Sequence, residues 1–235
     1  QPGAICALLD ALDAVEGIRW IRILYAYPER ITDDFIAAMQ RNEKVVPYLD
    51  LPIQHCDDRV LAAMGRRGSR ADIEDAIRRL RAAIPDLTLR TTLIAGFPGE
   101  TEAEYAELCD FVRTVRFDRL GCFAYSPEEN TPAAVMEGQL DEETKQKRAD
   151  HIMELQADIS AAAMAAKVGR TLECICDGVD DETGMYLLRT AADCPEIDGN
   201  VLTPADTPLV PGEFYRVTIT DSDTYDLYGY VEGEE

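Results

Sequence analysis

The stretch Leu89-Arg-Thr-Thr-Leu-Ile-Ala-Gly-Phe-Pro-Gly-Glu-Thr101 decides the fold. Its first half is a β-branched and apolar run of strand length, and Gly96, Pro98 and Gly99 then break it. Thr101 followed by Glu104 is a capping-box signature that opens a helix. A strand, a tight turn and a helix in that order are one βα unit.

Reading outward, the same grammar recurs. Ile18 to Tyr27, Val45 to Ile53 and Arg119 to Tyr125 are further strand candidates, each followed by a punctuated loop. Helix starts are marked by Thr32 before Asp33 and Asp34, by Asp57 before Val60 and Leu61, and by Ser69 before Asp72. Between Asp72 and Ala83 the apolar residues Ile73, Ala76, Ile77 and Leu80 repeat at helical spacing, which leaves Arg78, Arg79 and Arg81 on a solvated face. These βα repeats predict a mainly parallel sheet.

A long helix is expected from about 141 to 168, with Ile152, Leu155 and Ile159 on its apolar face and Gly169 ending it. Beyond it the chain changes character. Thr171 to Cys176, Met185 to Arg189, Phe214 to Thr220 and Tyr228 to Val231 are short strands between Asp, Gly and Pro turns, as in a small all-β barrel or sandwich. Two domains are therefore expected, 1–166 and 167–235.

Composition sets limits on partners. The 235 residues carry a formal net charge of −22, which opposes nonspecific nucleic-acid binding because that needs Lys and Arg to displace counterions. From Arg170 onward three basic residues face sixteen acidic ones, so the charge is concentrated in the second domain. A basic protein partner suits this surface, and acidity for solubility alone is the other reading. No membrane span is expected, and the reading is cytoplasmic. Seven scattered cysteines imply reduced thiols; the one close pair, Cys174 and Cys176, is expected to be structural and buried.

Ligands of α/β sheets sit beyond the carboxyl ends of the strands. Gly96 and Gly99 would let backbone approach a ligand there, or would simply make a tight turn. Gln54 and His55 end a nearly all-apolar strand and fall at the mouth of the fold, where His55 is either a hydrogen-bonded structural group or a catalyst. Tyr125 and Ser126 close the last strand, and Glu128 with Glu129 would bind a cation or cap a loop. His151, within the long helix, is expected at the surface.

Four segments are similar, in order, to landmarks of one family. They are Tyr48-Leu-Asp-Leu-Pro-Ile-Gln-His55, Asp58-Arg-Val-Leu-Ala-Ala-Met64 with Arg66-Arg67-Gly68, Leu89 to Thr101, and Phe123-Ala-Tyr-Ser-Pro-Glu-Glu-Asn-Thr131. Together they resemble the methylthiotransferase branch of the radical S-adenosylmethionine enzymes. Gln54-His55 and Ser126 to Glu129 resemble the branch that modifies a ribosomal protein more than the tRNA-modifying sibling, and Asp193 to Gly199 with Tyr225-Asp-Leu227 and Gly229 resembles its C-terminal TRAM domain.

The resemblance implies a partial (β/α) barrel of radical-SAM type, here truncated to strands 3–6, followed by a small OB-like TRAM barrel. It implies an enzyme that uses S-adenosylmethionine and two 4Fe-4S clusters to add a methylthio group to Cβ of an aspartate in a basic small-subunit ribosomal protein. The TRAM domain would help dock that partner; a ribosome- or RNA-docking module is the alternative class. Gln54, His55, Arg90, Ile94, Gly96, Tyr125 and Ser126 are the implied cofactor-facing residues. The strand motif departs from the family form, which wants Gly at Thr92 and Glu at Gly99, with Glu100 one place late. The Cys-x3-Cys-x2-Cys loop that holds the cluster is not present, so the chain reads as an inactive C-terminal fragment.

Overall fold

The computed structural model describes residues 3–204 and 208–233. The chain forms two compact units, Gln1–Gln156 and Ala157–Glu235. In the first, four parallel strands lie in the order β1-β2-β3-β4: β1 (Ile21–Ile23), β2 (Val45–Asp50), β3 (Thr88–Ala95) and β4 (Arg119–Ala124). The intervening helices are α2 (Asp33–Arg41), α3 (Asp58–Ala63), α4 (Arg70–Ala83) and α5 (Glu102–Val115), with α1 (Ala4–Asp13) before the sheet and α6 (Glu142–Ala165) after it. The contact boundary between the units falls inside α6.

Period-two alternation sets the two faces of the sheet. On β3, Leu89, Thr91, Leu93 and Ala95 are fully buried, whereas Arg90, Thr92 and Ile94 keep some exposure. Register places Arg119, Gly121 and Phe123 of β4 beside those three. Phe123 is 63% exposed, so this second face is open. Burying the large apolar side chains on one face is the main favourable term; removing Leu93 to Ala would cost about 2–5 kcal/mol.

Local rules place the helices. Thr32, Asp57, Ser69 and Thr101 each accept a backbone N–H from the first turn, and Ser69 with Asp72 and Thr101 with Glu104 form full capping boxes. Two strands are shorter than their apolar runs. The chain leaves β1 where Tyr25 takes φ 66°, and leaves β2 near Pro52, which has no N–H to give to a ladder. Two of the arginines expected on a solvated face are tethered instead. Arg79 reaches Asp33 and the Ile31 carbonyl, and Arg81 donates to the Val115 and Arg116 carbonyls at the end of α5. His151, expected at the surface, sits with Nδ1 2.6 Å from the Tyr105 hydroxyl.

The second unit closes a five-stranded barrel in the order β5-β6-β7-β9-β8, from β5 (Thr171–Val179), β6 (Tyr186–Thr190), β7 (Val201–Thr203), β8 (Phe214–Ser222) and β9 (Leu227–Val231). Its core holds Cys174, Cys176, Leu188, Val201, Val217, Ile219 and Leu227. Burial pushes the Cys174 thiol up to about 12, so it is a neutral apolar filler at pH 7. Strand β7 has three residues, too few to leave an alternating pattern in the sequence. Gly229 is obligatory because a Cβ there would overlap the Thr218 carbonyl oxygen.

Glu104 ties α3 to α5. Its carboxylate accepts from Arg59 and from the Thr101 N–H, and these hold its pKa down from 4.5 to about 2, the Arg59 hydrogen bond being the largest cause. A depressed carboxylate stabilises the fold above its ordinary value and loses that contribution as pH falls through the folded one. Unfolding measured between pH 5 and about pH 2 should therefore lose more stability in the wild type than in Arg59→Ala. Equal losses would show that the pair contributes nothing.

Candidate functional site

At the carboxyl ends of three strands the backbone turns left-handed: Tyr25 after β1 at φ 66°, Gln54 after β2 at 69° and Gly96 after β3 at 76°. A non-glycine residue held there costs of order 1 kcal/mol or more, and such strain gathers at functional sites. Gln54 is held by its neighbours. Its N–H donates to the Thr92 carbonyl at 2.9 Å, and its carbonyl accepts the Ile94 N–H at 2.8 Å, so β2's continuation re-pairs with β3 across one bridge. Thr91, fully buried, donates its hydroxyl to the Leu51 carbonyl at 2.9 Å and locks the same segment.

These strand ends wall a cleft. One cavity of about 400 Å³ is lined by Gln54, Thr92, Ile94, Phe123, Tyr125 and Ser126, among others. A second, about 500 Å³, shares Gln54, Ile94, Tyr125 and Thr131 with it and adds Met64, Arg66, Phe97 and Met136. The walls are mainly apolar, and the sizes are those of small-molecule sites. Two buried polar atoms of the residues that line these cavities have no hydrogen-bond partner, the Gln54 Oε1 and the Tyr125 hydroxyl. Tyr125 is 7% exposed, and its ring is fixed edge-on to Phe97 at 5.2 Å. A buried polar atom without a partner is costly unless a ligand or water supplies one.

Behind this wall lies a charged cluster. The Glu100 carboxylate has no exposure; it accepts the Gly96 N–H at 3.0 and 3.1 Å and the Arg148 guanidinium of α6 at 2.7 Å. His55, also fully buried, accepts the Asp57 N–H on Nδ1, and its Nε2 lies 3.4 Å from Glu100 without a hydrogen bond to it. Lys145 packs directly on Gly96, where a Cβ would come within 2.6 Å of its side chain. Its ammonium lies 5.3 Å from the centre of the Tyr125 ring.

The seven residues read from the sequence thus separate. Gln54, Ile94, Tyr125 and Ser126 line the cleft. His55 and Gly96 sit behind the wall, in contact with Glu100. Arg90 shares the open face but lies four residues before Ile94, about 13 Å along the strand, paired with Asp50 at 3.3 Å. Met64, Arg66, Phe97 and Met136 were missed because nothing in their spacing marks them; the loops bring them in. Glu100 was seen only as an off-register motif residue.

The size and apolar walls of this cleft suit a small organic ligand, whose polar groups would pair with Gln54 and Tyr125. An iron–sulfur cluster does not fit. Among the described residues no three His, Cys, Asp or Glu side chains converge, and burial pushes the Cys56 and Cys122 thiols up to about 12, far from thiolates.

Comparison with known proteins places this geometry. Residues 5–112 match the radical SAM superfamily, and 168–231 match the TRAM domain. The chain is 47% identical to the ribosomal protein uS12 methylthiotransferase RimO of Desulfitobacterium hafniense over 96% of its length and 50% of that protein. The RimO of Bdellovibrio bacteriovorus is 46% identical, over 95% of this chain and 49% of that one. The chain is thus similar along nearly its whole length to one half of the RimO methylthiotransferases, and it carries a radical SAM segment and a TRAM domain. It spans about half the length of these RimO relatives. The fold likeness extends to the radical SAM enzyme coproporphyrinogen III oxidase (HemN) of Escherichia coli, at TM-score 0.54 and 18% identity, over 68% of this chain and 38% of that one. The expected architecture, a partial radical-SAM-type barrel followed by a closed TRAM barrel, is the one the chain forms.

Breaking the cluster behind the wall should be severe. Glu100→Gln leaves the Arg148 guanidinium, 9% exposed, with Glu102 as its remaining carboxylate and the residue-100 backbone carbonyl as a neutral acceptor, so urea unfolding should show a loss of about 3–5 kcal/mol. A loss below about 1 kcal/mol would mean that Glu100 does not anchor the turn.

Proposed function

We propose that this chain supplies the nucleoside-binding wall and the partner-docking module of an enzyme that adds a methylthio group to Cβ of an aspartate in ribosomal protein uS12. The observation that carries the reading is the pair of unpartnered polar atoms, Gln54 Oε1 and Tyr125 hydroxyl, on a mostly apolar cleft at the strand ends of a radical SAM barrel segment. S-adenosylmethionine, held at this wall by Gln54 and Tyr125, would supply radical chemistry toward the target carbon. The residues of this chain do quieter work. Ile94 and Phe97 exclude water and offer apolar surface, and Gln54 and Tyr125 pair with polar edges. Ser126 closes the same wall.

The two clusters of the proposed enzyme find no thiolate triplet here, so the chain on its own is inactive in this reading. Docking falls to the acidic TRAM barrel, with three basic residues against sixteen acidic ones from Arg170 onward, a charge complement to a basic ribosomal protein. The setting is the cytoplasm, where ribosomes are assembled. No helix among the described residues is long and apolar enough to cross a membrane.

The test joins the chain to the preceding half of the Desulfitobacterium hafniense relative, reconstitutes iron and sulfide, and supplies uS12 and tRNA separately. Mass spectrometry should find methylthiolation of one uS12 aspartate, reduced at least tenfold in Gln54→Ala. Transfer to tRNA alone would overturn the substrate assignment, and an unaffected Gln54→Ala would overturn the wall.

A further inference from the structure

Arg66 is the only cationic side chain among the described wall residues of the two cavities. Its placement is built. Gly65 ends α3 in the left-handed region at φ 75°, its N–H donating to the Ala62 carbonyl, and the Arg66 N–H then donates to the Leu61 carbonyl at 2.9 Å. The chain direction at Arg66 is therefore fixed by the helix end and not by a free loop. At the other end of the side chain, one N–H donates to the Pro52 carbonyl at 3.2 Å, and the guanidinium lies 5.0 Å from the centre of the Tyr27 ring. Its remaining N–H groups have no acceptor among the described residues.

A planar donor fork, held by a carbonyl and a ring and left with free N–H groups at a cavity, suits an oxyanion that can take two parallel hydrogen bonds, and the carboxylate is its planar match. The surroundings require such a cation. The chain carries a net charge of −22, and Glu128 lies on the neighbouring wall, so an anionic group entering the cleft meets repulsion unless a fixed positive charge receives it. The other wall groups near Arg66, Met64, Met136 and Phe97, are apolar and strengthen any charge-assisted hydrogen bond made there.

We propose that Arg66 is the carboxylate-binding residue of the cleft. The inference rests on the reading of the cleft as a nucleoside site given above. Two carboxylates reach such a place, the amino-acid end of the nucleoside cofactor and the acidic side chain of a protein substrate, and Arg66 recognises the same group in either.

The test uses the 235-residue chain and calorimetric titration with two matched pairs. One is S-adenosylhomocysteine against its carboxamide; the other is a short peptide with Asp against the same peptide with Asn. Wild type should prefer the carboxylate member of at least one pair by about tenfold or more, and Arg66→Gln should erase that preference while leaving the urea midpoint unchanged. Loss confined to the nucleoside pair assigns Arg66 to the cofactor end, and loss confined to the peptide pair assigns it to the substrate; both support the proposal. A preference that survives in Arg66→Gln overturns it. If glutamine unfolds the loop, Arg66→Lys keeps the charge without the fork and should show a reduced preference; an undiminished one overturns the proposal equally. Wild type that binds neither pair brings down the nucleoside reading itself, a result distinct from a preference that does not depend on Arg66.

Discussion

A carboxylate with no exposure governs the first unit. Glu100 cannot be buried as an anion unless its oxygens are filled by donors, and the fold supplies them from two directions, the Gly96 amide at the end of β3 and Arg148 from α6, while the His55 ring after β2 packs 3.4 Å away. Because the donors come from different elements, satisfying one side chain fixes where the β3 turn and the long helix meet, with β2's continuation packed against it. Gly96 is part of the same constraint, since α6 approaches so closely that Lys145 occupies the space of a Cβ. With those elements fixed, Gln54 and Tyr125 are left pointing polar atoms at a cavity that offers them no partner.

The division of labour between wall and support explains why the conspicuous residues are not all at the surface of the cleft. His55 is conspicuous in sequence as one of two histidines, yet its ring is entirely buried against Glu100. Gln54, an ordinary residue by composition, carries the left-handed backbone and the unpartnered amide oxygen. In radical SAM folds the reacting group is brought by the cofactor, so the protein's task is to hold and orient it, and residues that do this need shape and hydrogen bonds more than unusual acidity.

Much of the fold was legible because it follows local rules. The Thr101–Glu104 box, the helix start at Ser69, the strand-length apolar run up to Ala95 and the glycine turn after it are short-range signals, and each forms as read. What was not legible depends on distance in sequence. Arg148 lies 48 residues from Glu100, and no periodicity links them. Left-handed Tyr25 and Gln54 are invisible because neither residue type favours that region, so tertiary pairing alone imposes it. Met64, Arg66 and Met136 come to the cleft from a helix end and a loop whose positions only the packed sheet determines.

The central claim is that the ends of β2, β3 and β4 form one ligand-binding wall. Titrating the isotopically labelled chain with S-adenosylhomocysteine and following backbone amide shifts tests it most directly. The account predicts shifts concentrated at Gln54, Ile94 and the Phe123 to Ser126 segment, with the TRAM barrel of 168–231 unmoved. Shifts absent from those strand ends, or gathered on the barrel, would contradict it.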